Sequence, residues 1–280
     1  MGQFDGQVVY ITGIARGQGR NHAVRFAAEG ASIIGMDIAA RVADHQTYPT
    51  ATEDDLAETV RLVEEAGGKI LARKGDTRDL AFQEQLVADG FELFGRLDHV
   101  VANAGILTWG LTWEQTEEQF TDVIDVNLVG TWKTLKATIP TMRKARNGGS
   151  ITIISSTAGL KAMPNQASYS ASKFALRGLA QSVAKELGPK HIRVNTVHPY
   201  AVHTPMGVED TSAFKSFEDW PEHFPSMMNH YPIASVDDLS DAVLYLAGAK
   251  AGRSITMVPV SQRHSSNVAR RTAMNWLSSW

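Results

Sequence analysis

The sequence predicts an α/β fold: a single-domain, Rossmann-type, doubly wound parallel sheet of about seven strands with helices on both faces. Short β-branched runs alternate with longer helical patterns along the chain. Several strand-like runs are apolar at every position, as a parallel sheet covered by helices requires. A glycine-rich turn follows the first strand directly, and ligands of such sheets bind at the carboxyl ends of the strands.

The elements follow one another without a linker or an internal repeat. The predicted strands are residues 8–12, 32–37, 69–76, 97–104, 150–156, 192–199 and 254–260. The predicted helices are residues 20–29, 53–66, 79–94, 114–144, 169–187 and 236–248. We therefore expect one domain over residues 1–260, with 203–235 as a substrate lid rich in Phe, Trp, Met and Pro. Residues 261–280 form an atypical C-terminal tail.

Composition excludes several function classes. The 280 residues carry a formal charge of −3, which gives no sign of a nucleic acid or an anionic membrane as a partner. The chain has no cysteine, so disulfides, thiolate metal sites and a cysteine nucleophile are excluded. No apolar run approaches the ~20 residues of a membrane span, and the first residues lack a signal core. We expect a soluble cytoplasmic protein.

The first strand ends in TGIARGQGR (12–20), which places Gly13, Gly17 and Gly19 around Gln18. Glycines at these positions permit a tight turn and let backbone N–H groups approach a pyrophosphate at a helix N-terminus. A glycine triplet alone is weak evidence, but its place between the first strand and the first helix strengthens it. The turn therefore predicts a dinucleotide site.

Asp37 ends the second strand, where an acidic side chain can accept both ribose hydroxyls. A carboxylate there repels a 2′-phosphate, so Asp37 favours NAD over NADP. Arg16, inside the glycine turn, leaves two interpretations open: it attracts that phosphate, or it is a solvated loop side chain.

Two further strand ends carry groups that suit a nucleotide. Asp76 and Thr77 end the third strand, where a carboxylate can accept from the adenine amino group or simply cap the strand end. Asn103, Ala104 and Gly105 end the fourth strand and allow close backbone approach to the cofactor, although Asn103 could instead stabilise the turn.

Tyr169 and Lys173 stand four residues apart on a predicted helix, so they lie side by side one turn apart. An ammonium beside a phenol favours the phenolate, and we expect the pKa of Tyr169 to be lowered. Ser156, at the end of the fifth strand, lies thirteen residues earlier. A hydroxyl donor and a tunable phenol would then meet over a bound nicotinamide.

These motifs together resemble the short-chain dehydrogenase/reductase family. They are TGxxxGxG (12–19), NAG (103–105), Ser156, YxxxK (169–173) and Asn127 within DVNLVGT. The resemblance covers nearly the whole chain and implies a nicotinamide-dependent alcohol dehydrogenase or carbonyl reductase.

The resemblance implies a role for each matching residue. Tyr169 would be the general base in alcohol oxidation or the acid in carbonyl reduction. Lys173 would bind the nicotinamide ribose, and Ser156 would hold the substrate oxygen. Asn127 would hold a water that links Lys173 to solvent, or it merely kinks its helix. Thr204 would bind the carboxamide.

The predicted catalytic residues are Asn127, Ser156, Tyr169 and Lys173. The predicted cofactor-binding residues are Gly13, Arg16, Gly17, Gln18, Gly19, Asp37, Asp76, Thr77, Asn103, Ala104, Gly105, Tyr169, Lys173, Pro199, Val202 and Thr204. No metal site is predicted, because no carboxylate/His spacing accompanies His198 and His203.

A narrower resemblance links the chain to the actinobacterial carveol-dehydrogenase-like subfamily, which is associated with the redox cofactor mycofactocin. The stretch YPTATEDDLAETVRLVEEAG carries this resemblance together with the glycine turn. It implies that NAD is held tightly and that electrons pass to an external carrier. The added residues 39–52 could cover the adenosine end of the cofactor, or they are a neutral loop insertion.

The chain also departs from the family pattern. Pro199 is followed by Tyr200 where the family commonly has glycine, which puts a bulky ring near the nicotinamide or the substrate. The basic tail 261–280 could pack across a neighbouring subunit, stay disordered or reflect an altered reading frame. The family resemblance further implies a homotetramer built on the helices near 114–144 and 169–187.

An apolar pocket is expected around the strand ends. Its predicted side chains are Leu107, Trp109, Met163, Met206, Phe214, Phe217, Trp220, Phe224, Met227, Met228 and Tyr231. They favour a small hydrophobic secondary alcohol or ketone, such as a monocyclic terpenoid, as substrate. Two other functions stay open: an NADP-dependent carbonyl reductase, and a nucleotide-binding regulator without turnover.

Overall fold

All seven strands pair in parallel, in the order β3-β2-β1-β4-β5-β6-β7. This computed structural model describes residues 2–224, 233–248 and 256–257. The strands are β1 Val8–Thr12, β2 Ser32–Asp37, β3 Ile70–Lys74, β4 His99–Ala102, β5 Gly149–Ile154, β6 Ile192–Val197 and β7 Thr256–Met257. The predicted seven-stranded, doubly wound sheet is confirmed.

Strands β1 and β2 end where predicted, whereas β3, β4, β5 and β6 each end two residues earlier. At the end of β4, for example, the Asn103 N–H donates to Thr12 Oγ1 at 3.1 Å. The residue therefore leaves the sheet and turns toward the end of β1.

The helices cover both faces of the sheet. They are α1 Gly17–Ala28, α2 Glu53–Glu65, α3 Leu80–Phe94, α4 Glu117–Ile124, α5 Thr131–Ala145, α6 Ala167–Leu187, α7 Pro205–Val208, α8 Thr211–Asp219 and α9 Val236–Ala247. The predicted long helix 114–144 is two helices, α4 and α5, joined by a π-helical segment, Asp125–Gly130. Helix α1 starts earlier than expected, since the glycines of the turn form its first residues.

Local sequence explains why several helices start where they do. Thr52 and Asp55 form a reciprocal capping box at α2, with Asp55 N–H donating to Thr52 Oγ1 at 3.1 Å and Thr52 N–H donating to Asp55 Oδ2 at 2.9 Å. Ser235 and Asp238 repeat this arrangement at α9. Each box satisfies backbone donors that a helix N-terminus otherwise leaves unpaired.

The hydrophobic core lies in two layers, one on each face of the sheet. Alternate residues of β1 enter different layers: Ile11 packs with Phe26 of α1 and Val243 of α9, whereas Tyr10 packs in the opposite layer with α3, α5 and α6. A strand buried on both faces explains why its sequence is apolar throughout.

The chain adds β2 and β3 on one side of β1 and then adds β4 and the later strands on its other side. Strand β1 pairs with β2 on one side and with β4 on the other, so the connections after β1 and β4 lie on opposite faces. A crevice opens at the carboxyl ends of these strands, which is where doubly wound sheets bind ligands. Among the residues described, none of the helices has the length and apolarity needed to cross a bilayer.

Leu86 tests the core on the α3 face. It is fully buried, whereas Leu93 on the same helix is 60% exposed. Leu86→Ala is expected to lower the free energy of unfolding by ~2–5 kcal/mol, because it leaves a cavity in a packed layer. The matched Leu93→Ala change is expected to stay within about 0.5 kcal/mol. Urea denaturation measures both, and equal losses for the two variants would contradict this packing.

Candidate active site

A cavity of about 550 Å³ opens at the carboxyl ends of the strands. Its volume lies within the range of small-molecule and cofactor sites. The predicted cofactor-binding residues that line it are Gly13, Arg16, Gly17, Gln18, Gly19, Asp37, Asp76, Thr77, Asn103, Ala104, Gly105, Tyr169, Lys173, Pro199, Val202 and Thr204. Ser156 lines it too, whereas Asn127 does not. The cavity is therefore lined by all sixteen predicted cofactor-binding residues and by three of the four predicted catalytic residues, with Tyr169 and Lys173 in both sets.

The glycine turn has the geometry that its sequence predicts. Gly13 and Gly17 adopt left-handed φ angles of 74° and 55°. A Cβ atom on Gly19 would stand 1.9 Å from the Gly13 carbonyl oxygen. Any side chain there would therefore displace the first turn of α1, whose N-terminus faces the cavity. Beside it, the Gln18 side-chain oxygen is buried and has no hydrogen-bond partner among the described residues.

Asp37 lies at the end of β2 with both carboxylate oxygens bound to backbone. Oδ2 accepts from Ala15 N–H and Oδ1 accepts from Ala39 N–H, each at 2.9 Å. These bonds hold the carboxylate at the cavity wall, between the glycine turn and residues 39–52.

Arg16 is half-buried, and its guanidinium donates to the Pro49 carbonyl oxygen. Both interpretations of Arg16 therefore stay predictions. The side chain ties the glycine turn to residues 39–52, since Pro49 belongs to that segment.

At the next two strand ends, the structural alternatives hold. Asp76 forms an ion pair with Arg78 at 2.7 Å and accepts from the Arg78 N–H at 2.8 Å, so it caps its own turn while lining the cavity. Asn103 Nδ2 donates to the carbonyl oxygens of Thr12 at 3.0 Å and Gly13 at 3.2 Å. Its amide thus stabilises the glycine turn from the neighbouring strand.

Ser156 follows β5, and its hydroxyl donates to the Pro199 carbonyl oxygen at 3.4 Å. Its hydroxyl oxygen also accepts from Ala158 N–H at 3.1 Å. His198 supports the turn from β6, with one ring nitrogen 2.9 Å from the Ser156 carbonyl oxygen and the other 2.9 Å from Thr196 Oγ1. Burial lowers the pKa of His198 to about 4, so the ring is neutral and its two hydrogen bonds stabilise the turn after β5.

Tyr169 and Lys173 lie one turn apart in α6, as predicted, with Lys173 Nζ 5.4 Å from the centre of the Tyr169 ring. The expected lowering of the Tyr169 pKa is wrong: burial raises it to about 12. Burial also lowers the pKa of Lys173 to about 8. The cause is desolvation, which disfavours the charged form of each group. The Lys173 ammonium lies over the ring and donates to the Ile154 carbonyl oxygen at 2.9 Å.

Asn127 lies behind the cavity, in the π-helical segment. Its side chain accepts from Ile106 N–H at 2.8 Å and donates to the Ile106 carbonyl at 3.0 Å and to Ser172 Oγ at 3.1 Å. Asn127 thus joins the β4 connection to α6. The helix distortion agrees with the structural alternative, and the water-holding role stays a prediction.

Residues 39–52 contact elements well beyond Asp37, where the adenosine end of the cofactor is predicted to lie. His45 lies 3.1 Å from an Asp122 carboxylate oxygen on α4. Thr47 Oγ1 donates to Asp210, just before α8, and the Tyr48 hydroxyl accepts from Leu107 N–H at 3.3 Å. We name this segment the cavity strap, because it crosses from Asp37 to the β4 connection. Sequence patterns assigned no role to Tyr48, the first residue of the stretch YPTATEDDLAETVRLVEEAG, or to Asp210, and both line the cavity.

The predicted apolar wall is confirmed in part. Leu107, Trp109, Met163, Met206, Phe214 and Phe217 line the cavity, and so does Tyr200. Phe224 instead lies behind Phe217, with ring centres 4.8 Å apart, and Trp220 stacks on His223 at 5.5 Å. The prediction that Trp220 and Phe224 line the pocket is wrong, because both pack behind the wall and neither lines the cavity. Met227, Met228 and Tyr231 lie outside the described residues, as does the tail 261–280.

Metal ligands do not assemble in the part of the chain that the structure describes: it contains no group of three or more His, Asp or Glu side chains able to hold an ion. His203 is held through its backbone, its N–H donating to the Ala234 carbonyl oxygen at 2.9 Å.

A doubly wound sheet with a glycine turn and a Ser–Tyr–Lys cluster at one cavity is the arrangement of Rossmann-type dehydrogenases. Residues 7–214 match the family described as short chain dehydrogenase, and the chain belongs to that family.

Individual relatives span nearly the whole chain. An uncharacterized NAD-dependent oxidoreductase of Mycobacterium tuberculosis is 52% identical over 266 residues, which is 93% of this chain and 96% of that protein. The (−)-trans-carveol dehydrogenase of Rhodococcus erythropolis is 39% identical over 263 residues, 90% of this chain and 94% of the relative. A short chain dehydrogenase from Mycobacterium paratuberculosis, solved bound to NAD, superposes with a TM-score of 0.87 at 44% identity, covering 91% of this chain and 97% of that one.

Lys173 makes stability depend on pH. Its pKa falls on folding from 10.5 to about 8, so the buried ammonium is costly below that value and costs nothing once both states are neutral. The free energy of unfolding should therefore rise by on the order of 3 kcal/mol as pH rises from about 8 to 10.5. Lys173→Met should remove this rise, measured as the difference from wild type in urea denaturation at several pH values.

The exposed Lys185 on the same helix provides the control, since Lys185→Met leaves α6 and its buried amine unchanged. A Lys173→Met variant with the pH dependence of wild type would contradict the assignment.

Proposed function

We propose that the protein is an NAD-dependent oxidoreductase that transfers hydride between a hydrophobic secondary alcohol and the nicotinamide, with Tyr169 as general acid/base. One observation carries the proposal: Ser156, Tyr169 and Lys173 converge on the cavity that the glycine turn also lines. The NAD-dependent relative from Mycobacterium tuberculosis and the NAD-bound solved structure support the choice of cofactor.

The cavity fits a dinucleotide. The absence of side chains at Gly13, Gly17 and Gly19, which line the cavity, leaves the N-terminus of α1 open to a pyrophosphate. Asp37 would take the ribose hydroxyls and Thr204 the carboxamide. Bound there, NAD supplies the hydride acceptor or donor.

The second group of cofactor candidates would hold the remaining parts of NAD by backbone and side-chain contacts. They are Asp76, Thr77, Asn103, Ala104, Gly105, Pro199 and Val202. Asp37 and Arg16 support NAD rather than NADP, because the carboxylate repels a 2′-phosphate and the guanidinium is engaged by Pro49.

In alcohol oxidation, Tyr169 would take the proton from the carbinol oxygen while Ser156 holds that oxygen. A phenol with a pKa of about 12 is a weak acid, so its deprotonation requires help. Lys173, whose pKa of about 8 keeps it charged at neutral pH, supplies a positive charge one turn away. In carbonyl reduction the same phenol donates the proton, and Asn127 would serve the proton path behind Lys173.

The substrate we propose is a cyclic secondary alcohol or its ketone, carveol-like in size. Leu107, Trp109, Phe214 and Phe217 form an apolar wall beside the Ser–Tyr–Lys cluster. The similarity to (−)-trans-carveol dehydrogenase supports a monocyclic terpenoid.

The cavity strap supports a tightly retained NAD that passes its electrons to an external carrier such as mycofactocin. We further propose a cytoplasmic homotetramer built on α4, α5 and α6, whose exposed Phe120, Trp132 and Phe174 suit subunit contacts. In this proposal residues 1–260 are one catalytic domain with 203–235 as its lid, followed by the tail 261–280.

Tyr169→Phe tests the function. The purified protein is denatured, and chromatography identifies any released nucleotide. Carveol or cyclohexanol is then added to the NAD-loaded protein, and the absorbance of NADH follows one turnover. Wild type should reduce its NAD, whereas Tyr169→Phe should keep the nucleotide and lose turnover by at least about 100-fold. Turnover in the variant would refute the role of Tyr169; an inert wild type that holds NAD would favour the regulator.

Thr47→Val tests retention. The change keeps the shape of the side chain but removes the bond from the strap to Asp210. Because a hydrogen bond to a charged group contributes about 1.5–3 kcal/mol, bound NAD should exchange with labelled NAD roughly tenfold or more faster. Thr121→Val, an exposed residue whose hydroxyl bonds within α4, is the control. Wild type that exchanges NAD as fast as the variant would refute retention by the strap.

A further inference from the structure

The cavity strap brings a hydrogen-bond donor into the cavity that none of the roles above uses. The Tyr48 side chain is 6% exposed and lines the cavity. Its hydroxyl oxygen accepts from Gln46 Nε2 at 3.1 Å and from Leu107 N–H at 3.3 Å. A phenol has two lone pairs and one proton, so both acceptor positions are engaged. Among the described residues no side chain or carbonyl accepts the remaining Tyr48 proton.

Asp210 offers the complementary acceptor. It is 2% exposed and lines the same cavity. Its Oδ1 accepts from Thr47 Oγ1, from Ser212 N–H at 3.0 Å and from Ser212 Oγ at 2.6 Å. Its Oδ2 is buried and has no partner within the described part of the chain. A buried carboxylate oxygen without a donor is costly, so it is expected to meet a ligand or a water.

The two groups stand near each other. Thr47, which precedes Tyr48 in the chain, is bonded to Asp210. Burial raises the pKa of Tyr48, and the charge of Asp210 adds a smaller increase, so the hydroxyl stays protonated. The Tyr48 hydroxyl also acts electrostatically on Tyr169. Tyr48 therefore lies within electrostatic reach of Tyr169.

We infer that Tyr48 and Asp210 form a second polar subsite that binds a hydroxyl group of the substrate other than the one oxidised. A hydroxyl satisfies both partners at once, because it accepts from Tyr48 and donates to Asp210 Oδ2. Neither a wholly apolar ring nor an anionic group does so, since the first leaves both unpaired and the second meets the Asp210 charge. Resting on the proposed alcohol oxidation, the inference narrows the substrate class to cyclic diols or hydroxyketones.

The substrate is favoured over the NAD ribose as the source of this hydroxyl. The Tyr48 oxygen is bonded to Leu107, a member of the apolar wall, and Asp210 lies a few residues before Phe214 and Phe217 of the same wall. The ribose hydroxyls already have Asp37 and Lys173 as their expected partners.

Binding tests the subsite without relying on turnover. In the NAD-loaded Tyr169→Phe protein, ligand-observed NMR measures the dissociation constants of cyclohexanol and of the isomeric cyclohexanediols. At least one diol should bind about tenfold or more tightly than cyclohexanol, since a site built for a hydroxyl discriminates strongly against its absence. Adding Tyr48→Phe or Asp210→Asn should reduce that ratio to near one and leave cyclohexanol binding unchanged. Asn keeps the acceptor that Ser212 uses but cannot accept at the second position.

The control is Tyr245→Phe, which makes the same chemical change on the exposed face of α9 and should leave the ratio intact. The inference is overturned if the NAD-loaded Tyr169→Phe protein shows no preference for a diol, or if the preference survives in both subsite variants. In either case Tyr48 and Asp210 would bind water instead of a substrate hydroxyl. Weaker NAD binding in the Tyr48→Phe variant, with no diol preference, assigns the hydroxyl to the cofactor and also overturns it. Alcohol oxidation by wild type is measured in a separate experiment. If the protein binds diols preferentially but does not oxidise alcohols, the proposed function fails and the subsite inference does not.

Discussion

The junction between β5 and α6 is the contact on which the site depends. Lys173 Nζ donates to the Ile154 carbonyl oxygen at 2.9 Å, and Ser155 Oγ donates to the Lys173 carbonyl oxygen at 2.9 Å. These two bonds cross between the same helix turn and the same strand end. They therefore tie α6 to the end of β5, the strand that Ser156 follows, and Ser156 and Tyr169 line the same cavity.

The same burial that orders this junction sets its electrostatics. Desolvation moves the pKa of Tyr169 up and that of Lys173 down, which separates two values that nearly coincide in water. The folded protein bears a cost for this arrangement, because an ammonium is held in a dry site with one carbonyl partner. Strained or costly groups of this kind cluster at functional sites, and here the cost falls on the residue beside the proposed acid/base.

The cavity strap joins regions that a plain βαβ unit would leave independent. The glycine turn reaches it through Arg16, the second strand through Asp37, the lid through Asp210 and the β4 connection through Leu107. Its contacts thus span the cavity from the glycine turn to the β4 connection. This organisation explains how one insertion can serve both cofactor retention and substrate choice in the proposed function.

The sequence by itself determined the sheet, the glycine turn and the spacing of Tyr169 and Lys173, because these follow from backbone periodicity and from glycine φ angles that act over a few residues. Only the tertiary structure decided the direction of the Tyr169 pKa, the partner of Arg16 and the contacts of Tyr48 and Asp210. Each of these depends on burial or on contacts between residues far apart in the chain, and no local pattern records such contacts. Phe224 is a further example: the sequence shows that its side chain is apolar, but it does not show on which side of the cavity wall that side chain packs.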